Sequence, residues 1–173
     1  TGEWVDGRIE GQGVVKYPNG SVYEGAFVDG APHGKGKIVY SDGGSYEGDW
    51  VHGVIEGSGV ATYANGARYE GGFRDGRYHG HGVKSWPSGD RFEGEHVAGK
   101  RNGRGVYIWG KSGNRYEGDY VDGEREGFGV FTFKDGSRYV GSFANSARNG
   151  FGMYEWPGGT RYTGRCVDKE REG

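Results

Sequence analysis

Cysteine is almost missing from this chain: Cys166 stands alone, so no internal disulfide can form. That excludes the small secreted scaffold stapled by bridges and makes a reducing, cytoplasmic setting the expectation. Apolar residues are also scarce, at 32% of 173, too few for a globule wrapped around one large core. No apolar run approaches the roughly 20 residues that span a bilayer, and no signal peptide opens the chain. The formal net charge of −2 gives no general attraction for nucleic acid, and none is expected as a partner. An initiating Met is absent too, and with it the leading aromatic of the first repeat described below. The expectation is a piece of a longer array with further repeats before it.

Glycine and rings are what the chain has in excess. Gly accounts for 40 residues without a three-residue period, which excludes collagen, and an aromatic content of 15% argues against disorder. The glycines therefore have structural positions, and these recur. The stretch YEGDWVHGVIEGSGVATYANG, from Tyr46 to Gly66, is followed by the next Tyr-Glu-Gly at Tyr69. Counting the leading aromatic as position 0, repeats start at Tyr23, Tyr46, Tyr69, Phe92, Tyr116, Tyr139 and Tyr162. All are 23 residues apart except Phe92 to Tyr116, which are 24 apart. Residues 1–22 form a partial first repeat, full repeats begin at 23, 46, 69, 92, 116 and 139, and 162–173 is a half repeat.

Within a repeat, Arg68 to Phe73 alternates with period two, placing Tyr69, Gly71 and Phe73 on one face and Arg68 and Glu70 on the other. A second strand is read from Gly59 to Tyr63. Between repeats, Tyr17-Pro18-Asn19-Gly20, Trp86-Pro87-Ser88-Gly89 and Trp156-Pro157-Gly158-Gly159 put Pro at the first central position of a type I turn and Gly at a left-handed bulge. That three-residue loop sets Tyr63 and Tyr69 on the same face. The extra residue in Trp109-Gly110-Lys111-Ser112-Gly113 lengthens one such loop. Three ring columns follow, at positions 0, 4 and 17, with rings lying over the glycines of neighbouring strands in place of a core. The predicted fold class is all-β: an elongated, single-layer antiparallel meander of about fifteen strands, rod-like and on the order of 70 Å long.

These residues resemble the MORN repeat, whose pattern is an aromatic-Glu-Gly, a further aromatic and spaced glycines, and the likeness covers essentially the whole chain. The resemblance implies a non-enzymatic hairpin array, and a chain made only of such repeats looks most like the cytoskeletal scaffold proteins of protists such as trypanosomatids and apicomplexans. It implies cytoskeletal protein partners and a cytoplasmic, cytoskeleton-associated place, including membrane junctions. The family's association with phospholipid head groups gives the rival expectation, a peripheral module for anionic phospholipids. A third is an accessory module of a larger enzyme.

Chemistry is sparse. No nucleophile has a sequence-defined base, and Gly110 to Gly113 is a hairpin loop rather than a phosphate loop, so no catalytic residue and no cofactor are expected. His79 and His81 lie two apart without a local third ligand, and His79 and His33 share position 10, read as a solvated loop; no metal is expected. Arg74, Arg77, Lys84, Lys100, Arg101 and Arg104 form the candidate patch for a head group or an acidic partner. Departures from the repeat crowd toward the C-terminal side: Val140 and Thr163 for Glu, Ser146 and Lys169 for Gly, Cys166 for a ring, with His96 the exception. They lead to the expectation of an antiparallel, tail-to-tail homodimer with Phe143, Tyr154, Trp156, Tyr162 and Cys166 at or near the interface.

Overall fold

The computed structural model describes residues 2–167, with Val167 described by its backbone alone; Lys169 lies outside this range. The described residues form strands and turns with no helix, and the chain divides into one compact unit ending at Pro87 and another beginning at Ser88. In the first, β1 (Gly2–Val5), β2 (Arg8–Lys16), β3 (Val22–Val28), β4 (Ala31–Val39), β5 (Ser45–Val51), β6 (Val54–Thr62), β7 (Arg68–Arg74) and β8 (Arg77–Ser85) pair antiparallel in chain order. In the second, β9 (Arg91–Val97), β10 (Lys100–Ile108), β11 (Arg115–Val121), β12 (Glu124–Thr132), β13 (Arg138–Ala144), β14 (Ala147–Glu155) and β15 (Arg161–Val167) do the same. Each unit is a single-layer antiparallel meander, the all-β architecture that the repeat predicts.

The rings at positions 0 and 4 make the core. Tyr23, Tyr46, Tyr69, Phe92, Tyr116 and Tyr139 are buried, and so are Phe27, Trp50, Phe73, Tyr120 and Phe143. Each position-0 ring covers the glycine at position 13 of its own repeat. A methyl group at Gly105 would come within 2.6 Å of the Phe92 ring, and one at Gly129 would stand inside contact of Tyr116. Position-4 rings then close edge-on against the position-0 rings of two repeats: Trp50 lies 5.1 Å from Tyr23 and 5.4 Å from Tyr46, near perpendicular to both. Ring edges on glycine floors replace a second layer. Trp4, on the first described strand, is 66% exposed and stands outside this stack. His96 takes the ring's place, buried edge-on at 5.2 Å from Phe92.

The loop between repeats has the expected form. Gly20 N–H donates to the Tyr17 carbonyl at 3.0 Å and Tyr17 N–H to the Ser21 carbonyl at 2.8 Å, with Gly20 in the left-handed region at φ 92°. The longer loop closes instead from Trp109 to Asn114, where Gly113 N–H donates to the Trp109 carbonyl at 2.8 Å.

Two features differ from the sequence reading. The second strand begins five residues earlier than expected, at Val54 rather than Gly59, because a two-residue turn precedes it. Its central residues both have positive φ, as at Asp29 (51°) and Gly30 (81°), the type I′ geometry for which Asp-Gly is suited. A bulge around Gly57 then resets the strand's alternation: Trp50 faces Ile55 while Gly48 faces Gly59.

Position 10 is likewise in a strand, not a solvated loop, and it works on the following repeat. His33 Nδ1 accepts the backbone N–H of His52 at 3.1 Å, and Glu10, Glu56 and Glu126 accept those of Asp29, Asp75 and Asn145 at 2.8 to 3.0 Å. The next turn residue donates to the position-9 carbonyl of the repeat before it, Gly30 to Ile9 and Gly123 to Arg101. Successive turns are thus tied together. For His79 and His81, the left-handed Gly80 between them breaks the simple alternation that the spacing assumed.

Ser146 occupies the turn glycine's place at φ 64°; its hydroxyl accepts from Arg125 N–H at 3.1 Å and donates to Glu124. Those bonds offset the left-handed strain. Ala98, at φ 49° where other repeats carry Asp, Asn or His, has no such side-chain group. Ala98→Asn should therefore stabilise the chain by about 0.5–1 kcal/mol. A thermal melt that does not rise by a degree or more would contradict this.

Candidate partner-binding face

In each unit the rings lie on one face of the sheet and the Arg–Glu ion pairs on the other. On the outer face, Arg68 with Glu70, Arg91 with Glu93 and Arg115 with Glu117 form ion pairs of 2.9 Å each, exposed and so of small energetic weight. The ring face carries what lies above the core. Position-17 rings, expected to pack with the others, are half-buried or exposed instead.

What accompanies that column differs between the units. In the first, position 15 holds Val15, Ile38, Ala61 and Lys84, and position 9 holds Ile9, Pro32, Ile55 and Tyr78. Tyr78 stacks on Tyr69 at 3.7 Å and 7°, hydrogen-bonds Tyr63, and with it lines a cavity of about 340 Å³. Lys84 Nζ lies 5.2 to 5.3 Å from the Tyr63, Tyr78 and Trp86 rings.

In the second unit, position 15 becomes Tyr107, Phe131 and Tyr154, and position 9 becomes Arg101, Arg125 and Arg148. The added rings complete a row. Tyr107, Trp109, Phe131, Phe133, Tyr154 and Trp156, on β10, β12 and β14 and the loops just after them, follow one another at centroid distances of 4.6, 5.3, 4.7, 5.9 and 4.5 Å, all tilted by 39 to 52°. Beside the row lie the guanidiniums. Arg125 is 5.4 to 5.8 Å from Trp109, Tyr116, Phe131 and Phe143, and Arg148 is 5.8 Å from Phe133 and Tyr139. Arg101 lies 5.3 to 5.4 Å from Phe92, Tyr107 and Tyr120. Burial pushes the Tyr120 hydroxyl up to about 12, against the pull of Arg101 and Arg125, so this core ring is neutral near neutral pH. A cavity of about 270 Å³ opens here, lined by Trp109, Phe131 and Phe133 with Arg125 and Arg148.

Asp90 fixes the head of the row. It accepts from the Tyr107 hydroxyl at 2.7 Å and from Gly110 N–H at 2.8 Å, and these bonds, Gly110's first, hold its carboxyl below the usual range. Asp49 is lowered by its bond to Lys35. Carboxylates depressed in the folded state stabilise it above their unfolded pKa, near 4, and that contribution is lost as pH falls through the lower folded value. The thermal midpoint should accordingly drop below about pH 4, less steeply in Asp90→Asn, which has no charge to lose there. Parallel acid limbs for wild type and variant would contradict the assignment.

The sequence-predicted residues are scattered by this arrangement. Lys84 and Arg101 lie on the ring face, Arg104 is 3.5 Å from Asp119 on the outer face, and Arg74 faces Arg77 beside a turn with Lys100 next to another. Of the five interface candidates, Phe143 is 4% exposed, in the core between Tyr116 and Tyr139. Tyr154 and Trp156 end the ring row, Tyr162 is 47% exposed with its hydroxyl 3.3 Å from the Arg165 carbonyl, and Cys166 is half-buried. The arginine row was visible in the sequence as a column at position 9.

A family model described as MORN repeat matches residues 1–22, 23–45, 46–68, 69–91, 92–113, 116–138 and 139–161. No curated protein matches the chain. Among solved structures, the TCP domain of Drosophila melanogaster SAS-4 (dCPAP), in complex with a proline-rich motif of Ana2 (dSTIL), is similar in fold. The TM-score is 0.56 at 18% identity, over 89% of this chain and 84% of that one. The TCP10 domain of Danio rerio CPAP, in complex with a STIL peptide, also matches at 18% identity over 89% and 78% of the two chains, with a TM-score of 0.36.

Proposed function

The chain belongs to the MORN-repeat family, and from that premise we propose that it is a non-catalytic scaffold whose ring face holds an extended, proline-rich segment of a protein partner. The observation that carries this is the row from Tyr107 to Trp156, six half-exposed or exposed rings in unbroken contact on a rigid sheet. Rings of this kind receive polyproline II segments, whose preformed shape lowers the ordering cost of binding. The Drosophila domain of similar fold was solved with a proline-rich motif on it, which supports the same mode here. Cytoskeletal proteins are the partner class that the family resemblance favours. Calorimetric titration of the whole chain with a proline-rich nonapeptide tests the proposal: saturable binding in the micromolar range supports it, and no heat at millimolar peptide overturns it. The phospholipid alternative is less favoured because in neither unit do the basic residues share a face; salt-sensitive pelleting with anionic vesicles would restore it.

Self-association through the last repeats is a separate proposal with a different surface. Phe128 and Phe151, 52% and 76% exposed, stand on the outer face where Val140 pairs with Val130 and Met153 in place of the usual charged residue. An apolar strip on an otherwise charged face favours a second copy of the chain. Light scattering should give a dimer mass that Phe151→Glu converts to monomer; a monomeric wild type at micromolar concentration would overturn it.

A further inference from the structure

We infer that the segment taken by the ring row is acidic with a period of three, a carboxylate at every third residue of a polyproline II helix. This rests on the proposal that the row binds such a segment, and it specifies the partner's chemistry. Arg101, Arg125 and Arg148 hold one position in three consecutive repeats, on β10, β12 and β14, so two strands separate each from the next. At about 4.8 Å per strand the arginines recur roughly every 9.6 Å across the sheet. A polyproline II helix rises about 3.1 Å per residue and turns once in three, so its like-facing side chains recur roughly every 9.3 Å. The two spacings agree to within a few tenths of an ångström per repeat.

Orientation supports the match. The ring row crosses the strands, so a segment lying along it also crosses them, passing the three guanidiniums in turn. Each guanidinium lies over rings at 5.3 to 5.8 Å from a centroid, and the planar N–H fork of a guanidinium suits a carboxylate. Arg125 gives one of those N–H groups to the Ser146 carbonyl, fixing its direction. Proline rings occupy the aromatic row while every third side chain faces an arginine. An extended β segment, with like-facing side chains about 6.6 Å apart, falls out of step after one repeat.

The experiment titrates the whole chain with three blocked nonapeptides. The first is three tandem copies of Pro-Pro-Glu; the second, a block peptide of the same composition and charge, has its three glutamates consecutive between two runs of three prolines; the third is three copies of Pro-Pro-Gln. The expected result is that the periodic Glu peptide binds about tenfold tighter than either of the others, with a gap over the Gln peptide that narrows as salt rises. Arg125→Gln together with Arg148→Gln, its fold checked by circular dichroism, should remove that preference. Equal affinity for the periodic and block Glu peptides overturns the period. Binding of the Gln peptide as tight as that of the periodic Glu peptide overturns the acidic specificity and leaves the proline-rich proposal standing. Failure of all three to bind overturns both.

Discussion

Gly129→Val should cost the fold roughly 3 kcal/mol, one of the largest losses available to a single added side chain in this protein. The new Cβ would enter the Tyr116 ring, and that ring has nowhere to go. Its hydroxyl donates to the Asp119 carbonyl at 2.8 Å, and its edges meet Tyr120 at 5.3 Å and Phe143 at 5.0 Å. Tyr116→Ala should itself cost about 3–5 kcal/mol by emptying the same space. Because the valine would then occupy room vacated by the ring, the double variant should lose less than the sum, by about 1–3 kcal/mol. Chemical denaturation of the four proteins measures the coupling. Additive losses would mean that ring and glycine do not share the volume assigned to them.

Trp109→Ala and Phe133→Ala should each weaken binding of a proline-rich peptide by about 2 kcal/mol, roughly thirtyfold, while lowering stability less than a core ring does. Both rings touch the rows on either side: Trp109 contacts Tyr107, Phe131 and Arg125, and Phe133 contacts Phe131, Tyr154 and Arg148. Tyr40→Ala in the first unit is the matched control, a position-17 ring without the arginine row. Its peptide affinity should stay within about twofold of wild type. If the control loses as much as the two variants, the binding surface lies elsewhere on the ring face.

The legible part of the structure was the part governed by a strict local period. Tyr69, Gly71 and Phe73 alternate without interruption, so one face could be assigned from sequence, and Pro18 and Gly20 fix a turn whose chemistry is local. The illegible part begins where the period breaks. Gly57 and its counterparts adopt left-handed backbone and shift the register, so alternation could be read only from Gly59 onward, and Val54 to Ser58 lost its strand assignment. The Asp29-Gly30 dipeptide carried the signal for the missing turn, a two-residue loop at the opposite end of the hairpin from the proline-led one.

The site was harder for a different reason. Arg101 looked like part of a run of basic residues because neighbours in sequence were grouped, whereas the sheet groups residues one repeat apart. Lys100 and Arg104 therefore part company with Arg101, while Arg125 and Arg148 join it. Position-17 rings were expected in the core because they share its face, yet the core is already filled by two rings per repeat over one glycine floor, and the third column is left above it.

The tie between successive turns gives the array a polarity that its antiparallel strands conceal. The donors are on the later repeat and the acceptors on the earlier one: Gly30 to Ile9, Asp29 to Glu10, Asp75 to Glu56. Within either unit, a repeat that loses its follower leaves the acceptors of these turn bonds to water, which satisfies them readily, but one that loses its predecessor has two turn amides laid open. In these turn-amide bonds the array is a chain of sockets and plugs with the plugs facing backward, whereas Arg125 to Ser146 and Asn102 to Asp122 donate forward. A repeat's turn amides are met by the repeat before it, so the one after it is not needed to set that turn.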